Sequence, residues 1–300
     1  MEKKRLNPLA IVLGSILLLY TLLLFILLIY VAYNSFKTRF NFFMDPLGLP
    51  KGEYYLGDYT WYSQYLTVFT KAKVPYFVDG LRKEANLIQM FGNSLLYSVG
   101  CAFTATLVPC LVAYVTAKYR FVFNKVIYYI VIFAMVTPIV GSGPSQIFVM
   151  DEIFGIYDTI PGMWFMSANF LGTYYLVFYG IFKGLSWEYA EAAFIDGASH
   201  LNVMLRVMFP LVRTTFGVIM LLNFIAFWNN YQTPIMFIPS HPTMAVALQY
   251  LGVRGAGDAD MKWVPARFAF TTVFIVPSLT LFIIFRNKLA GNLTVGGIKG

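Results

Sequence analysis

Long apolar segments separated by polar connections set the pattern of this sequence. A bilayer core about 30 Å thick is crossed by roughly 20 apolar residues in a helix. The pattern therefore predicts an all-α integral membrane protein with six transmembrane helices. The apolar segments are Leu9–Tyr33, Phe91–Ala117, Val126–Val140, Pro161–Phe182, Leu211–Ile235 and Phe268–Phe285. The third is short and meets Thr137-Pro138, so we expect its end to be broken.

The composition supports a membrane protein. Hydrophobic residues make up 59% of the chain and charged residues only 12%, whereas soluble domains are about half apolar and a quarter charged. The net charge of +8 comes from basic residues at the ends of apolar segments. Basic residues in that position anchor membrane helices, so we expect membrane lipid and no nucleic acid as a partner.

The placement of the basic residues predicts the orientation. Lysines and arginines of short connections are enriched on the cytoplasmic side. They cluster before the first segment, between the second and third, between the fourth and fifth, and after the sixth. The connection between the third and fourth contains Asp151, Glu152 and Asp158 and no base. Both termini are therefore expected to be cytoplasmic.

Three regions follow from this topology. Residues 1–90 would form the first transmembrane helix and a long extracytoplasmic segment. Residues 91–286 would form a five-helix core with a cytoplasmic loop at about 183–210, and residues 287–300 a cytoplasmic tail.

The sequence carries few groups suited to catalysis or metal binding. Cys101 and Cys110 are nine residues apart in one helix, about 13.5 Å along its axis and too far for a disulfide. His200 and His241 are expected on opposite membrane sides. There is no phosphate-binding Gly-x-x-x-x-Gly-Lys-Ser/Thr sequence and no Gly-x-Ser-x-Gly motif. We therefore expect no cofactor, no metal and no enzymatic activity, although an integral membrane enzyme remains an alternative.

One connection has a distinctive polar motif. It reads Glu188-Tyr-Ala-Glu-Ala-Ala-Phe-Ile-Asp-Gly-Ala198 and runs on to Val207-Met-Phe-Pro210. Ser186 could cap a helix here. Ala190, Ala193 and Gly197 lie at helical spacing, and such a stripe of small residues would let another protein surface approach closely. Gly197 is expected to end or bend the helix and Pro210 to mark where the next membrane helix begins.

This motif resembles the EAA loop of ABC importer permeases, and further segments resemble carbohydrate permeases of the maltose-transporter type. These segments are Asn93-Ser-Leu95, Ala113-Tyr114, Arg120-Phe121, Gly155-Ile-Tyr-Asp-Thr159, Trp228-Asn229 and Thr294-Val-Gly-Gly-Ile-Lys-Gly300. The resemblance covers the chain from about Phe91 to its end. Phe209 stands where Leu is usual, and Gly143-Pro144 leads into an acidic segment where the family has a short outer helix containing proline.

The resemblance implies the permease subunit of an ATP-driven importer in the bacterial plasma membrane. Its partners would be a second homologous permease, a dimer of cytoplasmic ABC ATPases that hydrolyse ATP, and an extracytoplasmic solute-binding protein that delivers a sugar, expected to be an oligosaccharide. A permease for a non-sugar organic solute is the alternative. The residues implied in ATPase coupling are Glu188, Glu191, Ala192, Ala193, Asp196, Gly197 and Pro210.

Polar residues near the end of the fifth apolar segment are candidates for the translocation path. Aromatic faces stack on sugar rings, and amides hydrogen-bond to sugar hydroxyls. The candidates are Asn223, Trp228, Asn229, Asn230, Tyr231 and Gln232. An interfacial aromatic belt with amides bonding between helices is an equal alternative. The resemblance also implies that the partner permease makes most sugar contacts.

The resemblance assigns contacts to two further segments. The outer connection Pro239–Trp263 would reach the binding protein, and its glycine and aspartate content suits a mobile loop. The tail Gly291–Gly300 would contact the ATPase pair.

Overall fold

The computed structural model describes residues 8–50, 62–78, 80–137, 141–254 and 259–292. The chain divides into two compact units. The first comprises Met1–Val74 with Leu248–Val276, and the second comprises Pro75–Ala247 with Pro277–Gly300.

The first unit begins with a long apolar helix, α1 (Pro8–Asn34). Its large side chains are exposed over most of its length, as expected for a helix facing lipid. Two short helices follow, α2 (Arg39–Met44) and α3 (Ser63–Lys71). Lys37 is fully buried; its Nζ donates to the Asp45 carbonyl (2.7 Å) and lies 4.7 Å from the Tyr33 ring centre. These contacts replace the water that a buried ammonium loses.

A β-hairpin precedes the second predicted span. The all-α prediction missed this hairpin. Strands β1 (Lys73–Val78) and β2 (Leu81–Asn86) pair in a two-stranded sheet. Gly80, in the connection, has φ +74°, a conformation that glycine adopts without strain. The side chain of Asn86 then accepts the Gln89 N–H (2.9 Å) and caps the following helix.

After the hairpin, the regular elements of the described chain are helices. They are α4 (Leu87–Lys118), α5 (Asn124–Val136), α6 (Gly143–Phe148), α7 (Ile160–Ser167), α8 (Thr173–Gly184), α9 (Glu188–Ile195), α10 (His200–Asn202), α11 (Phe209–Asn229), α12 (Gln232–Phe237), α13 (Met244–Arg254) and α14 (Val264–Asn292). Residues Val149–Ile153 and Val203–Met208 are π-helical, and Asp260–Lys262 form a 3₁₀ turn.

Helix α4 is the centre of the second unit, with α7, α8 and α11 packed against it. Cys110 and Tyr114 of α4 lie in the buried core of this unit. Cys101 and Cys110 are both free, as predicted. Polar side-chain contacts join α8 and α11 to α4. The hydroxyls of Thr116 and Tyr175 are 2.9 Å apart, linking α4 to α8. Asn223 donates to Thr106 (3.0 Å), linking α11 to α4.

Within the described ranges, four helices are long and apolar enough to cross a bilayer: Pro8–Asn34, Leu87–Lys118, His200–Asn229 and Val264–Arg286. The predicted third span is represented by α5, which at 13 residues is about 20 Å long. Its expected broken end at residues 138–140 lies outside the described residues.

The predicted fourth span, Pro161–Phe182, is not a single helix. It is divided into α7 and α8 by the irregular residues 168–172. Asn169 contributes to this break because its side chain accepts the Leu171 N–H (2.8 Å). Such local side-chain bonds compete with helical bonds.

The fifth span also differs from the prediction. Its helical segment starts at His200 rather than at Pro210 and ends at Asn229 rather than Ile235. Pro210 has no N–H to donate to the preceding turn, and that turn, Val203–Met208, is π-helical. Asn230 ends the helix, since its side chain accepts the Thr233 N–H (3.0 Å) at the start of α12.

The Trp164–Gly100 contact yields a test of the packing of α7 on α4. A Cβ added to Gly100 would lie 1.9 Å from Trp164 Nε1, which donates to the Leu96 carbonyl (3.0 Å). Gly100→Ala is expected to displace this ring and destabilise the protein by about 1–3 kcal/mol. The measurement is the apparent melting temperature in detergent.

Gly92→Ala is the matched control, because Gly92 lies in the same helix with no atom within 4 Å of an added Cβ. Equal melting temperatures for the two variants would contradict the packing account.

Candidate coupling and translocation sites

Helix α9 carries most of the polar motif. The Ser186 hydroxyl accepts the Glu188 N–H (3.2 Å), so Ser186 does contact the first turn, although Trp187 occupies the capping position itself. Glu188 and Glu191 lie in the first turn, where the helix dipole favours acidic groups. The acidic first turn forms as the sequence predicts, but the helix begins one residue later than a Ser186 cap would place it.

Gly197 ends α9 by the mechanism that the sequence predicts. Its φ is +79°. The Ala198 N–H donates to the Ala193 carbonyl (2.9 Å) and the Gly197 N–H to the Phe194 carbonyl (3.0 Å), which is the hydrogen-bond pattern of a Schellman motif. Residues with a Cβ adopt this φ only with strain. Glycine therefore lets the chain turn toward α10 at no such cost.

The faces of α9 correct one expectation. Ala190 is fully buried and Ala193 half-buried against the chain's own core. Ala190 and Ala193 therefore let α9 pack closely on its own protein, whereas Gly197, the third residue of the stripe, is exposed. The outward face consists of Glu188, Tyr189, Glu191, Ala192, Ile195, Asp196 and Gly197, all exposed.

Sequence reasoning missed two apolar residues on that outward face. Ile195 is 86% exposed and Tyr189 is 55% exposed. Burial of exposed apolar side chains of this size favours association. Their place on the same helix as Glu191 follows from the sequence, but which face of that helix is exposed is set by its packing on distant residues.

An aromatic cluster fixes α9 to the end of α4. Its members are Tyr114, Tyr119, Trp187, Phe194 and His200. Tyr119 packs edge-on against Trp187 (5.6 Å between ring centres), and Phe194 packs edge-on against His200 (4.8 Å). Tyr119 Oη lies 3.0 Å from His200 Nδ1, and its ring is 5.7 Å from that of Tyr114. Each such aromatic pair contributes about 0.5–1.5 kcal/mol beyond burial.

A second contact supports the same attachment. Lys118, the last residue of α4, donates from Nζ to the Leu185 carbonyl (2.6 Å), just before α9 begins. The α8–α9 connection is therefore held to the end of α4 at Leu185 and at Trp187.

Only one of the predicted path residues, Asn223, lines the cavity in the core of the second unit. This cavity, of about 300 Å³, lies among α4, α8 and α11. Its polar lining also includes Asn169, Tyr174 and Thr233, which sequence reasoning missed because they lie on separate segments. Amide and hydroxyl groups beside aromatic rings can hydrogen-bond to a polyol and stack on it.

The other predicted path residues have different surroundings. Trp228 is buried, with its ring 5.7 Å from that of Phe224 and 5.8 Å from that of Phe91. Asn229 is exposed and donates to the Ile225 carbonyl of its own helix (2.8 Å). Asn230 makes both of its side-chain bonds to Thr233.

Tyr231 is half-buried and Gln232 exposed at the start of α12. Neither belongs to the lining of the 300 Å³ cavity.

The end of α12 is held by a polar cluster. Asp158, at φ +56°, accepts the Ser240 N–H through Oδ1 (3.0 Å), and His241 Nδ1 is 3.6 Å from the same oxygen. The neighbouring Tyr157 hydroxyl donates to the Met236 carbonyl (3.1 Å). Burial, reinforced by the charge of Asp158, raises the pKa of Tyr157.

Part of the segment Pro239–Trp263, which was expected to be a mobile loop, is helical. Residues 244–254 form α13, and the Ser94 hydroxyl accepts the Met244 N–H (2.6 Å) at its start. Apolar residues at helical spacing, including Met244, Ala247 and Leu251, are buried and outweigh the flanking glycines. Residues 255–258 and most of the predicted tail contact, 293–300, lie outside the described residues.

Comparisons with known proteins agree with this architecture. The family model "Binding-protein-dependent transport system inner membrane component" matches residues 105–294. The diacetylchitobiose uptake system permease protein NgcG of Streptomyces coelicolor is 24% identical over 95% of this chain and 87% of its own. The sn-glycerol-3-phosphate transport system permease protein UgpE of Escherichia coli K12 is 26% identical over 67% of this chain and 72% of its own.

The fold recurs in a solved structure. A chain of a bacterial ABC transporter involved in importing the acidic polysaccharide alginate superposes with a TM-score of 0.70. The match covers 96% of this chain and 98% of that one at 17% sequence identity. Because the family model spans well over half of the sequence, the chain belongs to the inner-membrane components of binding-protein-dependent transport systems.

Proposed function

We propose that this chain is the permease subunit of an ATP-driven importer for an oligosaccharide. The observation that carries the proposal is α9, whose acidic and apolar face is exposed while its other face is fixed to α4. Family membership supports a transport role in a multi-pass membrane protein. The chain crosses the bacterial plasma membrane six times, with both termini in the cytoplasm.

The exposed face of α9 docks on a cytoplasmic ABC ATPase dimer. Ile195 and Tyr189 supply apolar contact, and Glu191 and Asp196 supply charge. A second homologous permease completes the pore, and an extracytoplasmic binding protein delivers the solute. ATP hydrolysis is carried out by the ATPase subunits. Closure of the ATPases moves α9, and the aromatic cluster transmits that movement to α4.

The core cavity supports a polyhydroxylated substrate. Its amides and tyrosines offer hydrogen bonds and stacking faces, and NgcG is named for the uptake of diacetylchitobiose. A non-sugar solute is the second candidate, favoured by the likeness to UgpE, which is named for sn-glycerol-3-phosphate.

The assembly is tested by purifying the tagged chain from its native membranes. Recovery of a phosphate-binding-loop ATPase and a second permease is expected, and ATP hydrolysis by that complex can then be measured with oligosaccharides or glycerol 3-phosphate. Recovery of the chain alone, even after crosslinking, would contradict the importer assignment.

Gly197 variants test the turn after α9. Gly197→Val is expected to abolish solute uptake, because a β-branched residue at φ +79° is strained by about 1–3 kcal/mol. Gly197→Asn is expected to retain much of the uptake, since asparagine tolerates this conformation. Uptake of radiolabelled solute by cells is measured beside immunoblots of membrane-inserted protein.

Gly184→Val serves as the control, since Gly184 lies near the same loop with open space around an added Cβ. Normal uptake by Gly197→Val would refute the requirement for this turn.

Tyr119 variants test transmission through the aromatic cluster. Tyr119→Ala removes the ring contacts to Trp187, Tyr114 and His200 and is expected to lower the amount of solute transported per ATP hydrolysed. Tyr119→Phe keeps the ring contacts and loses only the hydrogen bonds of the hydroxyl to His200 and Tyr114, which contribute less. The ratio is measured in proteoliposomes. An unchanged ratio in Tyr119→Ala would show that the cluster is not needed for coupling.

Asn223→Ala tests the core cavity. Loss of one buried hydrogen bond to the solute is expected to lower uptake about five- to tenfold. Thr106→Val breaks the same interhelical bond but leaves the Asn223 amide at the cavity. If both variants lose uptake equally, Asn223 has a packing role. If Asn229→Ala alone loses uptake, the path lies elsewhere on α11.

A further inference from the structure

The ends of α4, α5 and α8 enclose a strongly basic cavity of about 850 Å³. Among the described residues that line it, none is acidic and four are basic: Lys118, Arg120, Lys125 and Lys183. Tyrosine rings and hydroxyls form much of the remaining wall, from Tyr128, Tyr129 and Tyr179.

The basic groups lack acidic partners. Lys118 donates to a backbone carbonyl, and Lys183 lies 5.7 Å from the Tyr179 ring centre. Over the described part of the chain, none of the four basic residues forms an ion pair. Like charges around one cavity repel each other, and a bound anion would remove that repulsion.

The start of α5 provides a second, independent indication of an anion. Phe123 precedes the helix and provides no side-chain cap. Lys125 lies in the first turn, where the helix dipole disfavours a cation. A phosphate group at this position would accept bonds from the uncapped N–H groups and neutralise Lys125.

The outer face of α5 indicates where the anion comes from. Val126, Tyr129, Ile130 and Phe133 recur at i, i+3, i+4 and i+7, and each is at least 48% exposed. This apolar face continues from the basic cavity along the helix. Free phosphate would use the cavity alone, whereas a phospholipid would use the cavity and the face together.

We propose that the cavity binds the phosphate of an anionic phospholipid whose acyl chains lie on the exposed face of α5. Cavities with basic residues at the ends of membrane helices suit such headgroups. The proposal depends on insertion in the membrane and not on the identity of the transported solute. Leu185 and Trp187 line the same cavity, so the lipid adjoins the connection that leads into α9.

The test uses the transporter complex purified from native membranes, depleted of lipid and titrated with phosphatidylglycerol under native mass spectrometry. One tightly bound lipid is expected for the unmodified chain. Arg120→Gln combined with Lys125→Gln is expected to weaken this binding about thirtyfold, since each basic residue contributes about fivefold. Arg286→Gln is the matched control, because Arg286 is exposed at the end of another span and lies outside the cavity.

The comparison arms separate the possible occupants. Phosphatidylcholine should not fill the site in the unmodified chain, and inorganic phosphate at 10-fold excess over the lipid should not displace phosphatidylglycerol. Displacement by phosphate would overturn the proposal in favour of a free-anion site. The proposal would also be overturned if Arg286→Gln weakened phosphatidylglycerol binding as much as the double variant does. The same holds if the double variant bound this lipid as tightly as the unmodified chain. If the complex already occupies the cavity with an acidic segment of a partner, no lipid will bind, and the proposal fails.

Discussion

The attachment of α9 to the end of α4 is the interaction on which the proposed coupling depends. Helix α9 has only eight residues, and isolated helices of that length are unstable in water. Its conformation depends on burial of Ala190, on the aromatic cluster around Tyr119 and on the Gly197 turn. The same contacts that make α9 a helix also join it to α4, which packs against α7, α8 and α11.

Much of this architecture could be predicted from the sequence. The apolar segments at Leu9–Tyr33 and Phe91–Ala117 locate α1 and α4 to within a few residues. Gly197 was predicted to end a helix, and its φ of +79° with the Schellman bonds confirms this. These features follow from local rules, in which hydropathy sets spans and glycine sets helix ends.

Features that depend on distant residues could not be predicted. Which face of α9 becomes buried depends on Tyr119 and His200, and only the fold brings these two residues together. The cavity around Asn223 draws on Asn169, Tyr174 and Thr233 from other segments. The aromatic and amide residues at the end of α11 are of types that suit a sugar path, but Trp228 packs on Phe224 and Asn230 hydrogen-bonds to Thr233 of α12.

The most direct test of the account is photocrosslinking from the exposed face of α9. Cys101 and Cys110 are buried, so a cysteine introduced at Ile195 can be labelled selectively with a benzophenone maleimide in native membranes. Irradiation should yield an adduct containing the ATPase subunit, whereas the same label at Phe77, exposed on the hairpin, should not. Docking through α9 would be contradicted if the label at Ile195 gave no ATPase adduct, or if the label at Phe77 gave an equal amount.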